Sequence, residues 1–163
     1  MKILPALLLT AALSLTAFQR SEAATDLQNW QTGKPQDLAS LKAPVRIVNL
    51  WATWCGPCRK EMPEMSAWYK KQKKGSVDMV GIALDSSDNI GKFLKQTPVS
   101  YPIWRYAGND SRVWMKSFGN TVGGLPFTTV EAPKCRYQQT LLGEVTAKKL
   151  DEAVKQARAK CAA

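Results

Sequence analysis

Two cysteines separated by two residues are the chain's clearest candidates for chemistry. Cys55 and Cys58 enclose Gly56-Pro57 and follow Trp54, which gives the motif WCGPC. Cysteines at this spacing can close a small disulfide ring, and a helix that starts here favours the thiolate of the first cysteine. Because only the thiolate is nucleophilic, the motif indicates dithiol–disulfide chemistry.

Zinc sites use the same cysteine spacing and are the main alternative. A structural zinc site needs four ligands, and the other cysteines, Cys135 and Cys161, lie far downstream with no histidine to complete a set. Gly56-Pro57 also suits a tight turn into a helix, because proline is favoured in a helix's first turn. We therefore predict a redox pair, with no bound metal and no cofactor.

Histidine is absent from the whole chain, which removes several catalytic classes at once. A c-type haem attachment sequence, a His-based metal site, and a Ser/His or Cys/His catalytic pair are all excluded. Glu61 follows Cys58 by three residues, so on a helix both lie on one face, and Glu61 is the local acid–base candidate. The alternative is a surface glutamate that favours the helix N-terminus.

The hydrophobic pattern predicts the elements that position these residues. Continuous apolar runs indicate buried strands, and apolar stripes at helical spacing indicate helices. In chain order the pattern predicts a strand over 45–51, a helix over 59–74 with a kink near Pro63, a strand over 77–84, a helix that stops before Pro98, a short helix over 112–118, strands over 127–130 and 137–142, and a helix over 146–160. This order is typical of an α/β sandwich, a central mixed β-sheet with helices on both faces.

The N-terminal residues read as an export signal. Lys2 precedes an apolar stretch over 3–15, and small residues before position 24 suit cleavage after Ala23. We therefore predict that 1–23 form a cleaved signal peptide and that 24–163 form one domain, with an N-terminal extension that contains a hairpin or edge strand and with a C-terminal helix. An uncleaved membrane anchor is the alternative, although the apolar stretch is short for crossing a bilayer.

Charge and cysteine usage agree with an exported chain. The formal net charge is +10, and the lysines and arginines interleave with apolar positions at helical spacing, which is typical of solvated helix faces. An even number of cysteines in an exported chain permits disulfides. We predict a periplasmic monomer without a nucleic-acid partner.

One segment around the motif is similar to a known family. The run from Val48 to Glu61, VNLWATWCGPCRKE, resembles the active-site region of the thioredoxin-like TlpA/ResA family. Leu125-Pro126, which follows two glycines, resembles the family's second hallmark. The resemblance covers about residues 25–160 and implies a thioredoxin-like sandwich.

The resemblance also implies a role for each site residue. Cys55 attacks the partner's disulfide, Cys58 resolves the mixed disulfide, and Glu61 assists proton transfer at Cys58. Pro126 corresponds to the family's cis-proline, and the backbone of Leu125 pairs with a bound partner peptide. A trans proline that opens the next strand is the alternative.

Two tryptophans flank the motif's loop. Trp51 and Trp54 are interpreted as packing residues around the site, because buried indoles usually serve the core. Trp54 can also shield Cys55 from water, and we count it among the residues that contact substrate.

Cys135 and Cys161 are predicted to form a structural disulfide. The strand over 136–142 would rise about 23 Å and the helix over 146–160 would return about 22 Å, so the helix should end beside the strand's start. The bond would close a loop of about 26 residues and contribute roughly 3 to 4 kcal/mol on the chain-entropy model. A second redox pair is the alternative, but distant cysteines at a helix end lack the activating geometry.

Together these features predict an exported thiol:disulfide oxidoreductase that mainly reduces disulfides of partner proteins. Gly56-Pro57 resembles the dipeptide of reducing thioredoxins. The family resemblance implies a membrane thiol electron donor, and apocytochrome c or the copper-site cysteines of an oxidase assembly factor as substrates. The alternatives are a disulfide oxidase or isomerase with the same residues, and a metallochaperone in which Cys55 and Cys58 hold Cu(I).

Overall fold

The computed structural model describes residues 26–162, so the predicted signal peptide lies outside the described residues. Within this range the strands are β1 (Leu27–Asn29), β2 (Val45–Trp51), β3 (Val77–Ala83), β4 (Ile103–Tyr106), β5 (Phe127–Ala132) and β6 (Tyr137–Leu142). The helices are α1 (Gly56–Lys70), α2 (Ser87–Gln96), α3 (Ser111–Lys116) and α4 (Ala147–Ala162), and short 3₁₀ segments cover Leu38–Ser40 and Pro133–Cys135.

The strands form one mixed sheet in the order β1-β4-β3-β2-β5-β6. β2, β3 and β4 run parallel, whereas β1, β5 and β6 pair antiparallel with their neighbours. The parallel register of β2 and β3 runs from Val45 opposite Val77 to Trp51 opposite Ala83. The predicted fold class, a central mixed sheet with helices on both faces, is confirmed.

Each face of the sheet buries a hydrophobic cluster. Trp51 of β2 lies in the cluster that α1, α2 and α4 cover, and Leu50 lies in the cluster that α3 covers. Both side chains have no exposed surface. Burial on both faces explains the nearly continuous apolar run of β2. The carboxyl end of β2, from which the chain leads to Cys55, is therefore fixed by packing on both sides.

The sequence analysis predicts no strand at β4, and this prediction is wrong. The strand has four residues, includes the charged Arg105 and follows Pro102, so its local pattern is weak. Its conformation depends on distant partners: β3 pairs with it on one side, and β1 on the other, with Leu27 opposite Tyr106. β1 is the edge strand predicted within the N-terminal extension.

α1 begins and ends earlier than the predicted helix over 59–74. It begins at Gly56, directly after Cys55, and ends at Lys70. The helix continues through Pro63, where one backbone N–H is missing from the helical ladder. None of the helices among residues 26–162 has the length and apolar character needed to cross a membrane.

Candidate active site

The two cysteines of the WCGPC motif are joined by a disulfide at the start of α1. Cys55 is the N-cap of the helix, and its Sγ accepts a hydrogen bond from the backbone N–H of Cys58 at 3.2 Å. Their Cα atoms are 5.3 Å apart. Pro57 lies in the first turn, where its missing N–H removes no intrahelical bond.

The two sulfurs differ in their access to solvent. Cys55 is 6% exposed, whereas Cys58 has no exposed surface. Of the two cysteines, Cys55 is therefore the one that solvent can reach. The first N–H groups of α1 point toward Cys55 and stabilise a thiolate there once the disulfide opens.

The tryptophans beside the motif have different environments. Trp51 is completely buried and packs on Phe93 of α2, with ring centroids 5.3 Å apart, as expected of a core residue. Trp54 is 71% exposed, so its interpretation as a packing residue is wrong. An exposed indole directly before Cys55 offers an apolar surface to whatever approaches the disulfide.

Glu61 is a buried carboxyl group on the same helix as Cys58. Its exposed fraction is only 3%, which excludes the surface-glutamate alternative. Oε1 accepts a hydrogen bond from the side-chain amide of Asn49 at 2.9 Å, and Oε2 accepts one from the backbone N–H of Val145 at 2.8 Å. Burial raises the pKa of Glu61 from its ordinary 4.5 to about 7, although both hydrogen bonds act in the opposite direction.

The partners of Glu61 connect three parts of the fold. Asn49 lies on β2 and also donates to the Thr128 hydroxyl of β5 at 3.0 Å, and these two residues are paired in the strand register. Val145 lies just before α4. Thr128 and Val145 are missed by sequence reasoning, because they are distant from Glu61 in the chain and no local pattern marks them.

The peptide bond between Leu125 and Pro126 is cis. β5 begins at the next residue, Phe127, which pairs with Leu50 near the carboxyl end of β2. Pro126 therefore lies at the sheet edge from which β2 leads to Cys55. Leu125 packs against both hydrophobic clusters, one of which contains both cysteines.

Asp85 anchors the loop that precedes Cys55. Its carboxylate accepts hydrogen bonds from the backbone N–H and the hydroxyl of Thr53, and it also accepts from Asn89 at 2.8 Å. Burial raises the pKa of Asp85, but these hydrogen bonds and one from Ser86 outweigh it and hold the pKa below its ordinary value. Asp85 is therefore a further site residue, after Thr128 and Val145, that sequence reasoning missed.

The remaining cysteines form a second disulfide, between Cys135 and Cys161. Their Cα atoms are 5.3 Å apart and the sequence separation is 26. Cys135 ends the 3₁₀ segment before β6, and Cys161 lies in the last turn of α4. The bond therefore joins the start of an edge strand to the end of the C-terminal helix.

Comparison with known proteins places this geometry among thiol-disulfide enzymes. The AhpC/TSA family matches residues 20–119. The thiol-disulfide oxidoreductase ResA of Bacillus thuringiensis subsp. konkukian (strain 97-27) is 32% identical over 132 residues, which cover 80% of this chain and 71% of that protein.

Solved structures show the same fold. The crystal structure of a thioredoxin-related protein from Neisseria meningitidis serogroup B is 74% identical, with a TM-score of 0.80, and covers 82% of this chain and 98% of that one. A thiol:disulfide interchange protein of the thioredoxin family from Chlorobium tepidum TLS is 30% identical, with a TM-score of 0.62, and covers 77% and 87%.

Proposed function

We propose that this chain, which belongs to the AhpC/TSA family and is a thiol-disulfide oxidoreductase of the ResA type, works outside the cytoplasm as a reductase of partner-protein disulfides. Thiol-disulfide oxidoreductases of this type act on disulfide-bearing proteins. The direction of electron flow, the export and the roles of individual residues are our proposal. The observation that supports it is the contrast at the N-terminus of α1 between Cys55, which keeps 6% exposure, and Cys58, which has no exposed surface.

The reduced enzyme starts the reaction with the Cys55 thiolate. It attacks one sulfur of the partner's disulfide, which breaks that bond, forms a mixed disulfide and releases the partner's first thiolate. The Cys58 thiolate then attacks Cys55 Sγ, closes the disulfide seen in this structure and releases the partner's second thiolate. The partner gains two electrons, and the enzyme's dithiol loses two.

Glu61 is our candidate for the proton acceptor in the second step. Cys58 has to lose its proton before it attacks, and no histidine is available. Glu61 shares the buried face of α1 with Cys58, and its raised pKa, near neutrality, suits both uptake and release of a proton at pH 7. Asn49 and Val145 position the carboxyl group through their hydrogen bonds.

Trp54, Leu125 and Pro126 are our candidates for partner binding. Trp54 is exposed beside Cys55, and Leu125-Pro126 lies at the same edge of the sheet. An extended partner segment that crosses this edge can bring its disulfide to Cys55 while its backbone pairs with Leu125. This surface suits a protein substrate better than a small enclosed ligand.

The proposed function includes export of the protein and two kinds of redox partner. Residues 1–23 carry the features of a signal peptide, and cleavage after Ala23 would release a monomeric periplasmic enzyme. A membrane thiol donor would return Cys55 and Cys58 to the reduced state, and apocytochrome c or a copper-site assembly factor would receive the electrons. Mass spectrometry of the protein recovered from the periplasm tests the cleavage directly.

The reduction potential of the Cys55/Cys58 pair tests the direction of electron flow. We expect a value near or below that of thioredoxin, about −270 mV, when the purified protein is equilibrated with glutathione or dithiothreitol buffers. Mass spectrometry of the trapped thiols would confirm that Cys135 and Cys161 stay paired. A potential near −120 mV would instead identify a disulfide donor and overturn the reductase assignment.

A further inference from the structure

A cavity of about 490 Å³ lies beyond the carboxyl end of β4, separate from the residues assigned roles above. It is lined by Asp26, Tyr106, Asn109, Asp110, Val113 and Trp114. β4 runs parallel to β3 and β2, so the cavity opens at the sheet edge that also carries Cys55. Two strand spacings separate β4 from β2, which is about 10 Å across the sheet.

The cavity carries two carboxylates that form no ion pair with any residue of 26–162. In the described part of the chain the ion pairs are Arg46–Glu131 and Lys60–Glu144, and neither involves Asp26 or Asp110. Asp110 caps α3 with Oδ1, which accepts from the backbone N–H of Val113 at 2.9 Å, and its second oxygen remains available.

Tyr106 aims an unpartnered hydroxyl into the same cavity. The residue is only 8% exposed, yet its hydroxyl makes no hydrogen bond to any other residue among 26–162. The hydroxyl oxygen is not one of the fully buried unpartnered atoms of residues 26–162, so it is accessible from the cavity and can accept a hydrogen bond from a ligand. A side chain at Gly108 would collide with this hydroxyl and would come within 2.7 Å of Asp26 Cγ, so Tyr106 and Asp26 share one corner of the cavity.

One wall of the cavity is aromatic. The rings of Tyr106 and Trp114 stack with centroids 4.6 Å apart, and Trp114 packs on Phe118 at 4.8 Å. No cluster of three or more His, Cys, Asp or Glu side chains that could bind a metal occurs within residues 26–162. The donor set therefore fits an organic cation, whose N–H groups would bond both carboxylates and the phenol oxygen.

We propose that this cavity binds the guanidinium or ammonium group of a basic side chain on the partner protein. The assignment of the ligand to a partner rests on the proposed function. An extended segment advances about 3.3 Å per residue, so a basic residue about three positions from the target cysteine would reach the cavity. Asn120 links this region to the loop before Pro126, because its amide donates to the carbonyl of Gly124 at 2.8 Å and contacts Met115 of α3.

Binding can be measured without any redox step. The ¹⁵N-labelled oxidised protein is titrated with N-acetyl-arginine amide and, separately, with its neutral citrulline analogue, and the indole N–H signal of Trp114 is followed. We expect a saturable shift with the arginine compound only. Asp26→Asn combined with Asp110→Asn should weaken the binding about tenfold or more. Asparagine caps helices well, so the start of α3 is preserved.

Asp37→Asn is the matched control. Asp37 also caps a short helical segment, since its side chain accepts from the backbone N–H of Ala39 at 2.8 Å, and the substitution changes the net charge by the same amount per site. It should leave arginine binding unchanged. Equal binding of the citrulline compound, the absence of a saturable shift, or unchanged binding in the double variant would each overturn the cavity's assignment.

A kinetic comparison separates this assignment from the proposed function. Two disulfide-bonded peptides are offered to the reduced enzyme, one with arginine three positions from the target cysteine and one with citrulline there. We expect faster reduction of the arginine peptide, and the double variant should abolish the difference. Equal rates for both peptides would overturn the partner assignment and leave the reductase intact. Failure to reduce either peptide would count against the reductase, while the titration would still decide whether the cavity binds cations.

Discussion

The carboxyl group of Glu61 accepts a hydrogen bond at 2.8 Å from the backbone N–H of Val145, a residue 84 positions further along the chain. This bond connects α1 to the segment that leads into α4. It also encloses the carboxyl group, whose exposed fraction is 3%. The hydrogen bond that joins α1 to this segment thus also shields from water an acidic side chain that shares the buried face of α1 with Cys58.

Replacement of Glu61 by glutamine should change the pH dependence of the reaction. In the wild-type enzyme we expect the rate of disulfide reduction to rise with pH through about 7, as Glu61 ionises and becomes able to accept a proton. Glu61→Gln should remove that inflection and slow the reaction about 10²-fold. Stopped-flow reduction of a peptide disulfide over pH 5 to 9 measures both effects.

Glu64→Gln is the control for this experiment. Glu64 lies on the same helix and also accepts from a backbone N–H, that of Ala147 at 2.8 Å, but its side chain is exposed. The Glu64→Gln variant should show the same dependence of the reduction rate on pH as the wild type. A Glu61→Gln profile that keeps the inflection near pH 7 would contradict the proton-transfer role.

Glu61 should also make stability depend on pH. Its pKa is about 7 in the folded protein and near 4.5 in an exposed reference, so between these values the folded state binds more protons than the unfolded state. The contribution of Glu61 to the free energy of unfolding should therefore fall by about 3 kcal/mol as pH rises from 4.5 to 7. Above pH 7 this contribution should no longer change.

Urea denaturation of the oxidised protein at several pH values measures this effect. Other groups also titrate over this range. We therefore compare the free energy of unfolding of the wild type with that of Glu61→Gln at each pH. That difference should change by about 3 kcal/mol across the window, whereas Glu64→Gln should follow the wild type. A constant difference would mean that Glu61 is not protonated in the folded state.

Cys58→Ser should trap partner proteins. Without the resolving thiol, the mixed disulfide on Cys55 has no internal route to break, so adducts should accumulate in cells. Non-reducing electrophoresis followed by mass spectrometry would identify them. Cys55→Ser, in which the remaining Cys58 is buried, should give none. Adducts on Cys58 rather than Cys55 would reverse the assigned order of attack.

Removal of the second disulfide should lower stability and leave the chemistry intact. Cys135→Ala with Cys161→Ala opens a loop with a sequence separation of 26, and the chain-entropy model gives a loss of about 3 kcal/mol. Urea denaturation checks the loss, and the reduction rate of a peptide disulfide should be unchanged. A large fall in rate at unchanged stability would instead indicate a second redox pair.

The elements that depend on local interactions could be predicted from the sequence. The apolar run before Cys55, the helix after it and the fold class follow from periodicity and from the turn chemistry of Gly56-Pro57. β4 was not predicted because its strand conformation depends on pairing with β1 and β3. A four-residue run that includes Arg105 has little hydrophobic pattern of its own.

In the site, too, local features could be predicted and features that depend on tertiary contacts could not. The positions of Cys55 at the start of a helix and of Cys58 and Glu61 on that helix could be predicted, since their spacing is local. The exposure of Trp54 could not, because it depends on what the rest of the chain leaves uncovered at that edge. Likewise, Asp85 contacts Thr53 only after β2 and β3 are paired.

The two disulfides lie at opposite ends of the sheet. β6 begins beside Cys135 and ends at Leu142, which pairs with Phe127 next to Pro126, so the length of the strand, about 20 Å, separates the two bonds. Sulfurs at that distance cannot exchange within one molecule. We therefore expect the Cys55–Cys58 pair to be oxidised and reduced repeatedly without thiol exchange to the Cys135–Cys161 bond of the same molecule, because the length of β6 lies between them.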